Sequence, residues 1–246
     1  MAGHSHSANI ARRKGAVDAK RGKVFSKLAR AIISAARTGG GDPDANLKLK
    51  YAIDKAKAAN MPRDTIERAV ARGSGSKDGD TLDEITYEGY APGGVAVLVS
   101  VLTDNRNRTA PDVRHAFDRA GGSLSAPGSV SFLFELRGVF AVERAGRGED
   151  ELTEIALETG CDDVELEDEV AVFYAPPNDF AGVKRELEGR GLKFLSAELS
   201  YEPSNRVKVA SQDDARRVLK LIETLEDNDD VQNVYANYDI PEEWMA

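Results

Sequence analysis

The sequence predicts an α+β protein of several domains, in which an N-terminal bundle of three helices is followed by two ferredoxin-like α/β domains. Apolar residues recur at helical spacing over the first 77 residues, whereas alternating strand and helix patterns follow residue 80. The charge changes at the same place: residues 1–77 hold 17 Lys and Arg against 6 Asp and Glu, and residues 78–246 hold 16 against 36. Pattern and charge therefore divide the chain at one position.

The first helix is expected over residues 16–37, where apolar side chains recur every three or four positions. Lys20, Lys23, Lys27 and Arg30 repeat at the same spacing and form a basic stripe beside the apolar one. The glycines at positions 39–41 should end this helix, because glycine readily adopts the left-handed cap.

Two shorter helices are expected to complete the bundle. The second should be capped by Asp42 or Asp44 and run to about residue 60. Its inner face is expected to hold Leu47, Tyr51 and Ala58.

Pro62 suits the first turn of the third helix, which Gly73 should end. The residues expected to face inward from the third helix are Ile66, Ala69 and Val70. Residues 73–80 are rich in Gly and Ser and predict a linker.

Four strand–helix units are expected after the linker. The strands are placed at residues 94–102, 139–143, 170–174, 206–209 and 234–238, and the helices at 109–120, 149–159, 179–190 and 212–225. Units this short must pair, and βαββαβ is the ferredoxin-like solution. The pairing could be sequential, or the middle two units could be inserted between the outer two. Turns near residues 137–138 and 202–204 permit insertion, but the pattern itself leaves both arrangements open.

Signals for catalysis are nearly absent from the sequence. No phosphate-binding loop, dinucleotide fingerprint or serine nucleophile elbow is visible, so we expect no enzymatic activity and no cofactor. The single cysteine, Cys161, excludes an internal disulfide and a cysteine-based zinc cluster, and we identify no metal site. No apolar run approaches the roughly 20 residues that span a bilayer, and we expect a cytoplasmic protein with no membrane partner and no small-molecule substrate.

A polyanion is the partner that the N-terminal charge favours. The first 37 residues carry nine basic side chains and one acid, Asp18, and such a segment releases counterions from nucleic acid on binding. A basic helix face that is merely solvated is the alternative. The candidate nucleic-acid-binding residues in this segment are Arg12, Arg13, Lys14, Lys20, Arg21, Lys23, Lys27 and Arg30.

A second candidate contact lies in the loop of residues 103–109, which joins a strand to a helix N-terminus. Arg106 and Arg108, together with free backbone N–H groups, could hold a phosphate there. The alternative is ordinary helix capping by Asn107 or Thr109, with both arginines simply exposed. The phosphate-binding and helix-capping interpretations carry equal weight.

Distinctive segments occur in order along the chain. They are MAGHS (1–5), ANI (8–10), RK (13–14), DAKRGK (18–23), GGGDP (39–43), ANMP (59–62), DTIERA (64–69), YEGYAPGG (87–94) and TDNRNRT (103–109). Together they resemble the YebC/PmpR family, whose relatives include mitochondrial translational activators. The resemblance implies that the last domain is inserted into the middle one. The implied domains are then residues 1–80, residues 81–136 plus 202–246, and residues 137–201.

The resemblance also implies a factor that controls gene expression without catalysis. Family members have been described as DNA-binding transcriptional regulators and as ribosome-associated factors that bind rRNA and relieve stalling at proline-rich stretches. DNA or rRNA, and with the latter the ribosome, are thus the expected partners. This chain has His6 and Ser7 where family members usually have lysine and tryptophan, so a contact by its N-terminal arm would lack a stacking aromatic ring.

Overall fold

The computed structural model of this chain describes residues 21–75, 82–167 and 169–245. The predicted sites at Arg12, Arg13, Lys14 and Lys20 lie outside these residues, as does most of the predicted linker. Three helices come first: α1 (Arg21–Gly39), α2 (Leu47–Ala58) and α3 (Arg63–Gly75). Their apolar faces meet in one core, which contains Leu28, Ile32, Leu49, Ile53, Ile66 and Ala69.

The start of α2 differs from the prediction. Neither Asp42 nor Asp44 caps it; the side-chain oxygen of Asn46 accepts from the backbone N–H of Leu49 at 3.1 Å. The side-chain amide of Asn46 also donates to the carbonyls of Ala35 and Gly40, each at 2.8 Å. One buried asparagine therefore joins the end of α1 to the beginning of α2.

The inner face of α2 was also predicted wrongly. Leu49, Ile53 and Ala56 are buried, whereas Leu47 is 58% exposed. Packing in the bundle core decides which face turns inward: Leu49, Ile53 and Ala56 belong to that core, and Ala58 is exposed. The ring of Tyr51 instead makes an edge contact at 5.3 Å with Phe180, which belongs to the α/β part of the molecule.

Gly73 lies inside α3 and does not end it. A Cβ atom at this position would come within 2.6 Å of the carbonyl oxygen of Ile33 and 2.7 Å of the Cβ of Ala36. The glycine is therefore needed because α1 and α3 approach each other closely there.

The first sheet has the order β3-β1-β2-β9. Its strands are β1 (Asp83–Ala91), β2 (Val95–Thr103), β3 (Ser123–Ser125) and β9 (Val231–Ala236). Helices α4 (Arg106–Ala120) and α7 (Gln212–Glu226) pack on one face, around a core that includes Val97, Val99, Phe117, Val218 and Leu221. The strands lie in the spatial order of a ferredoxin-like sheet. The connectivity differs from βαββαβ, because β1 comes before the β2-α4-β3 unit in the chain instead of after it.

The second sheet has the order β5-β6-β4-β7, and all its neighbouring strands are antiparallel. It consists of β4 (Phe134–Glu143), β5 (Asp163–Leu166), β6 (Val170–Ala175) and β7 (Phe194–Pro203), with α5 (Glu149–Thr159) and α6 (Phe180–Gly189). The chain order β4-α5-β5-β6-α6-β7 is the βαββαβ unit. A parallel pair, β8 (Val207–Lys208) and β10 (Tyr238–Asp239), completes the strands that the structure describes.

Residues of the second sheet lie between β3 and β9 of the first sheet in the sequence. Strands β4 and β7 connect the two sheets. Phe134, at the start of β4, packs with Ala96 and Leu98 of β2, and the ring of Tyr201 on β7 lies 5.4 Å from that of Tyr235 on β9. The domain boundaries expected at residues 136 and 201 therefore fall within continuous strands. The division into independent domains remains a prediction, whereas the α+β fold class is confirmed.

Candidate nucleic-acid interface

The segment that follows α7 is strongly acidic. Residues 226–230 read Glu-Asp-Asn-Asp-Asp, and we refer to them as the acidic turn. Glu226 is the last residue of α7, and Asp230 directly precedes β9. The turn therefore combines four carboxylates with the carbonyl end of a helix, where the helix dipole is negative.

Three cations of the predicted basic stripe contact this turn. The ammonium of Lys23 donates to the carbonyl oxygen of Asp227 at 3.2 Å, and that of Lys27 donates to the carbonyl oxygen of Glu226 at 2.5 Å. Arg30 reaches the far end of the turn, where its Nη1 lies 3.3 Å from the carbonyl oxygen of Asp229. Positions 23, 27 and 30 are one helical turn apart, so a single edge of α1 contacts both the beginning and the end of the acidic turn.

Asp230 is the centre of the contact and is 3% exposed. Its carboxylate accepts from Arg30 Nη1 at 2.5 Å, from Arg108 Nη2 at 2.7 Å and from the Thr109 hydroxyl at 2.7 Å. Burial opposes ionisation of Asp230, but the bonds from Arg108, Thr109 and Arg30 outweigh it and lower the pKa to about 2. The carboxylate is therefore charged at neutral pH and binds guanidinium groups from two separate parts of the chain.

The loop of residues 103–109 is organised by capping, although the capping residue is neither of those expected. Asn105 caps α4, since its side-chain oxygen accepts from the N–H of Arg108 at 3.1 Å, while Thr109 is fully buried. Arg106 Nε lies 2.7 Å from a carboxylate oxygen of Asp83. Both arginines are exposed, as the capping alternative supposed, but each is also paired with carboxylates of the same chain: Arg106 with Asp83, and Arg108 with Asp104 and Asp230.

Lys27 is held in a partly desolvated position. Burial lowers the pKa of its ammonium group, and the nearby carboxylates of Glu226, Asp229 and Asp227 act in the opposite direction. The contact therefore costs solvation that charge attraction only partly offsets.

Helix α2 holds the bundle against both sheets. Lys48 pairs with Glu84 of β1 at 2.6 Å, and Lys55 pairs with Glu198 of β7 at 2.9 Å. The bundle is thus docked through α1 on the acidic turn and through α2 on strands of each sheet.

The two candidate sites found in the sequence consequently meet at one place. Lys23, Lys27 and Arg30 of the stripe and Arg108 of the loop all contact the acidic turn. Arg106 lies apart from them, paired with Asp83. Sequence reasoning missed the turn as a partner, although its signal, four acids in five residues after an amphipathic helix, is readable in the sequence.

Two observations concern other kinds of site. Within residues 21–75, 82–167 and 169–245, no group of three or more His, Cys, Asp or Glu side chains could hold a metal ion. In the same part of the chain, no helix combines the length and the apolar character needed to cross a membrane.

Two family models match most of the chain. Residues 5–76 match the family described as TACO1/YebC protein N-terminal domain, and residues 82–238 match the one described as TACO1/YebC second and third domain.

Relatives and a solved structure agree with this match. A protein of Rubrobacter xylanophilus named "Probable transcriptional regulatory protein" is 55% identical, over 100% of this chain and 98% of its own length. A protein of Halothermothrix orenii with the same name is 49% identical, over 100% of this chain and 98% of its own length. The crystal structure of a conserved hypothetical protein from Aquifex aeolicus matches with a TM-score of 0.84 and 47% identity, over 93% of this chain and 94% of that one. This chain belongs to the TACO1/YebC family.

Proposed function

We propose that this protein is a non-enzymatic, DNA-binding regulator of transcription, with the helical bundle as its nucleic-acid-binding part. The names of its relatives support a role in transcription. The observation that carries the proposal is the distribution of charge. Residues 21–75, which form the bundle, hold 12 Lys and Arg against 5 Asp and Glu, whereas residues 78–246 are strongly acidic. A cationic bundle on an acidic body concentrates phosphate affinity in one region.

Cations on other faces of the bundle are open to solvent. The side chain of Arg63 is 89% exposed at the start of α3, and that of Lys57 on α2 is 68% exposed. The predicted basic stripe adds Lys23, Lys27 and Arg30 of α1, which contact the acidic turn, and Lys20, which lies outside the described residues. Contacts between such cations and phosphate give affinity but carry no base sequence information.

A direct test changes the four stripe residues Lys20, Lys23, Lys27 and Arg30 to glutamine. Affinity for duplex DNA should fall, and the slope of log K against log salt should decrease in magnitude by ~3.6, or by ~2.8 for a single strand. Fluorescence anisotropy over a salt series measures both quantities. The matched control changes Lys184, Lys193, Lys208 and Lys220 of the acidic body to glutamine, which alters net charge equally and should leave the slope unchanged. Equal slopes for the two folded variants would contradict the proposal.

A ribosome-associated role in translation is the second candidate, and the acidic body favours it. Residues 78–246 carry 16 basic against 36 acidic side chains, and such a surface suits a partner that presents basic protein beside RNA. Sedimentation of a lysate through sucrose, with and without RNase, separates the two candidates. Migration with ribosomes that RNase abolishes supports translation and rRNA as the target, whereas an entirely free pool supports DNA.

A further inference from the structure

We propose that the acidic turn is an internal competitor for nucleic acid: it occupies Lys23, Lys27 and Arg30 in the free chain, and phosphate groups replace it when nucleic acid binds. This inference rests on the proposed function and adds a means of regulating it. The ligand class is a phosphodiester backbone, of DNA or RNA, because the groups involved are ammonium and guanidinium ions.

The contacts show which part of the junction can open. The carboxylate of Asp230 is buried and also bonded to Arg108 and Thr109, which belong to the same α/β unit as the turn. Asp230 further accepts at its backbone carbonyl from the N–H of Leu102 at 2.8 Å. The turn is therefore fixed to the first sheet. The partner that can move away is α1, together with the bundle whose core it shares.

The contacts made by α1 are of a kind that phosphate can replace. Lys23 and Lys27 bind backbone carbonyl oxygens at the end of α7, and the carboxylates of Glu226, Asp227 and Asp229 add attraction around Lys27. A nucleic-acid strand offers charged oxygens in a row to the same cations. After α1 moves away, Asp230 keeps its bonds from Arg108 and Thr109, so its buried carboxylate is not left without a cation.

The competition has a measurable consequence. When only a fraction of the molecules are open, the apparent dissociation constant is raised by the inverse of that fraction. Removing charge from the turn raises the open fraction. Because coupling between two sites is typically about 5- to 150-fold, an effect of at least about five-fold is expected.

The first experiment measures affinity of the full chain at 0.15 M salt for a 20-base-pair DNA duplex and for an RNA hairpin. The variant Glu226→Gln, Asp227→Asn, Asp229→Asn keeps the backbone carbonyls and Asp230 but removes three charges. Its affinity for the probe should increase at least about five-fold. The control Glu149→Gln, Asp150→Asn, Glu154→Gln changes net charge equally on α5, and it should shift affinity less than about two-fold, since the Debye length is about 8 Å.

The second experiment measures the position of α1. Spin labels are placed on cysteines introduced at Ser26 of α1 and Thr224 of α7, both exposed, with the buried Cys161 changed to serine. Double electron–electron resonance should report a longer distance between labels when the duplex or hairpin is bound.

The possible results separate the two proposals. Tighter binding by the turn variant than by the unmodified chain, together with a longer distance between the labels in the complex, supports the proposal that the acidic turn competes with nucleic acid. Binding with equal affinity in both variants and an unchanged distance overturns the competitor and leaves the proposed function intact. Binding by the turn variant but not by the unmodified chain supports the competitor. Failure of every variant to bind either probe overturns the proposed function, and the competitor with it.

Discussion

The junction between α1 and the acidic turn has two ends that use the same attraction in different surroundings. At one end, Asp230 is buried and its carboxylate meets Arg30, Arg108 and Thr109. At the other, the ammonium group of the exposed Lys23 donates to the backbone carbonyl oxygen of Asp227, directly after α7. The buried end fixes the turn in the fold, because a charge removed from water must keep its partners. The contact of the exposed Lys23 costs little to break, because water can replace it.

The largest loss in the free energy of unfolding should follow replacement of Asp230, at the buried end. Asp230→Ala removes the shared acceptor of two guanidinium groups, and loss of one partner from a buried ionic group typically costs 3–5 kcal/mol. The free energy of unfolding, measured by urea denaturation, should therefore fall by about 3 kcal/mol. The neighbouring Asp229→Ala is the control, because Asp229 is exposed and its change should be within ~0.5 kcal/mol. Similar losses in the two variants would mean that burial does not distinguish them.

Acidification should lower the free energy of unfolding by a somewhat smaller amount, through protonation of Asp230. Folding lowers the pKa of Asp230 from 3.8 to about 2, so its stabilising contribution is fully present above pH 4 and is lost as the pH falls toward 2. A shift of this size corresponds to up to about 2 kcal/mol. Asp230→Asn should lack this part of the pH dependence. Urea unfolding of both proteins at several pH values between 5 and 2 measures the difference, and parallel curves would contradict the assignment to Asp230.

The smallest effect on stability is expected at the partly buried Lys27. Lys27→Gln removes an ammonium whose desolvation lowers its pKa, so the loss of attraction is partly offset by relief of that burial. The free energy of unfolding should change by less than about 1 kcal/mol. The same variant should weaken nucleic-acid binding, whereas Lys220→Gln, on the exposed side of α7, should change neither quantity. A loss of several kcal/mol on changing Lys27 would mean that the stripe is structural.

The sequence by itself determined most helices of this protein and some of its strands. Strands β1, β3, β5 and β7 lie outside the ranges predicted from the sequence. Periodicity placed α1, α4, α5, α6 and α7 within a few residues of their positions in the structure, because each has an amphipathic pattern and a defined stop. Composition located the change from a basic helical region to an acidic α/β region. The cap of α2 was misplaced, since Asn46, Asp42 and Asp44 are all capable caps and only packing against Ala35 and Gly40 selects the asparagine.

Only the tertiary structure decided which distant segments meet. Strands β1 and β9 lie far apart in sequence on either side of the second sheet, and local pattern does not specify that both pair with β2. The partners of the cations were hidden for the same reason: Arg30 and Asp230 are separated by 200 residues, and electrostatic pairing depends on distance in space. The sequence showed which side chains were charged, while the fold determined that the basic stripe faces the acidic turn.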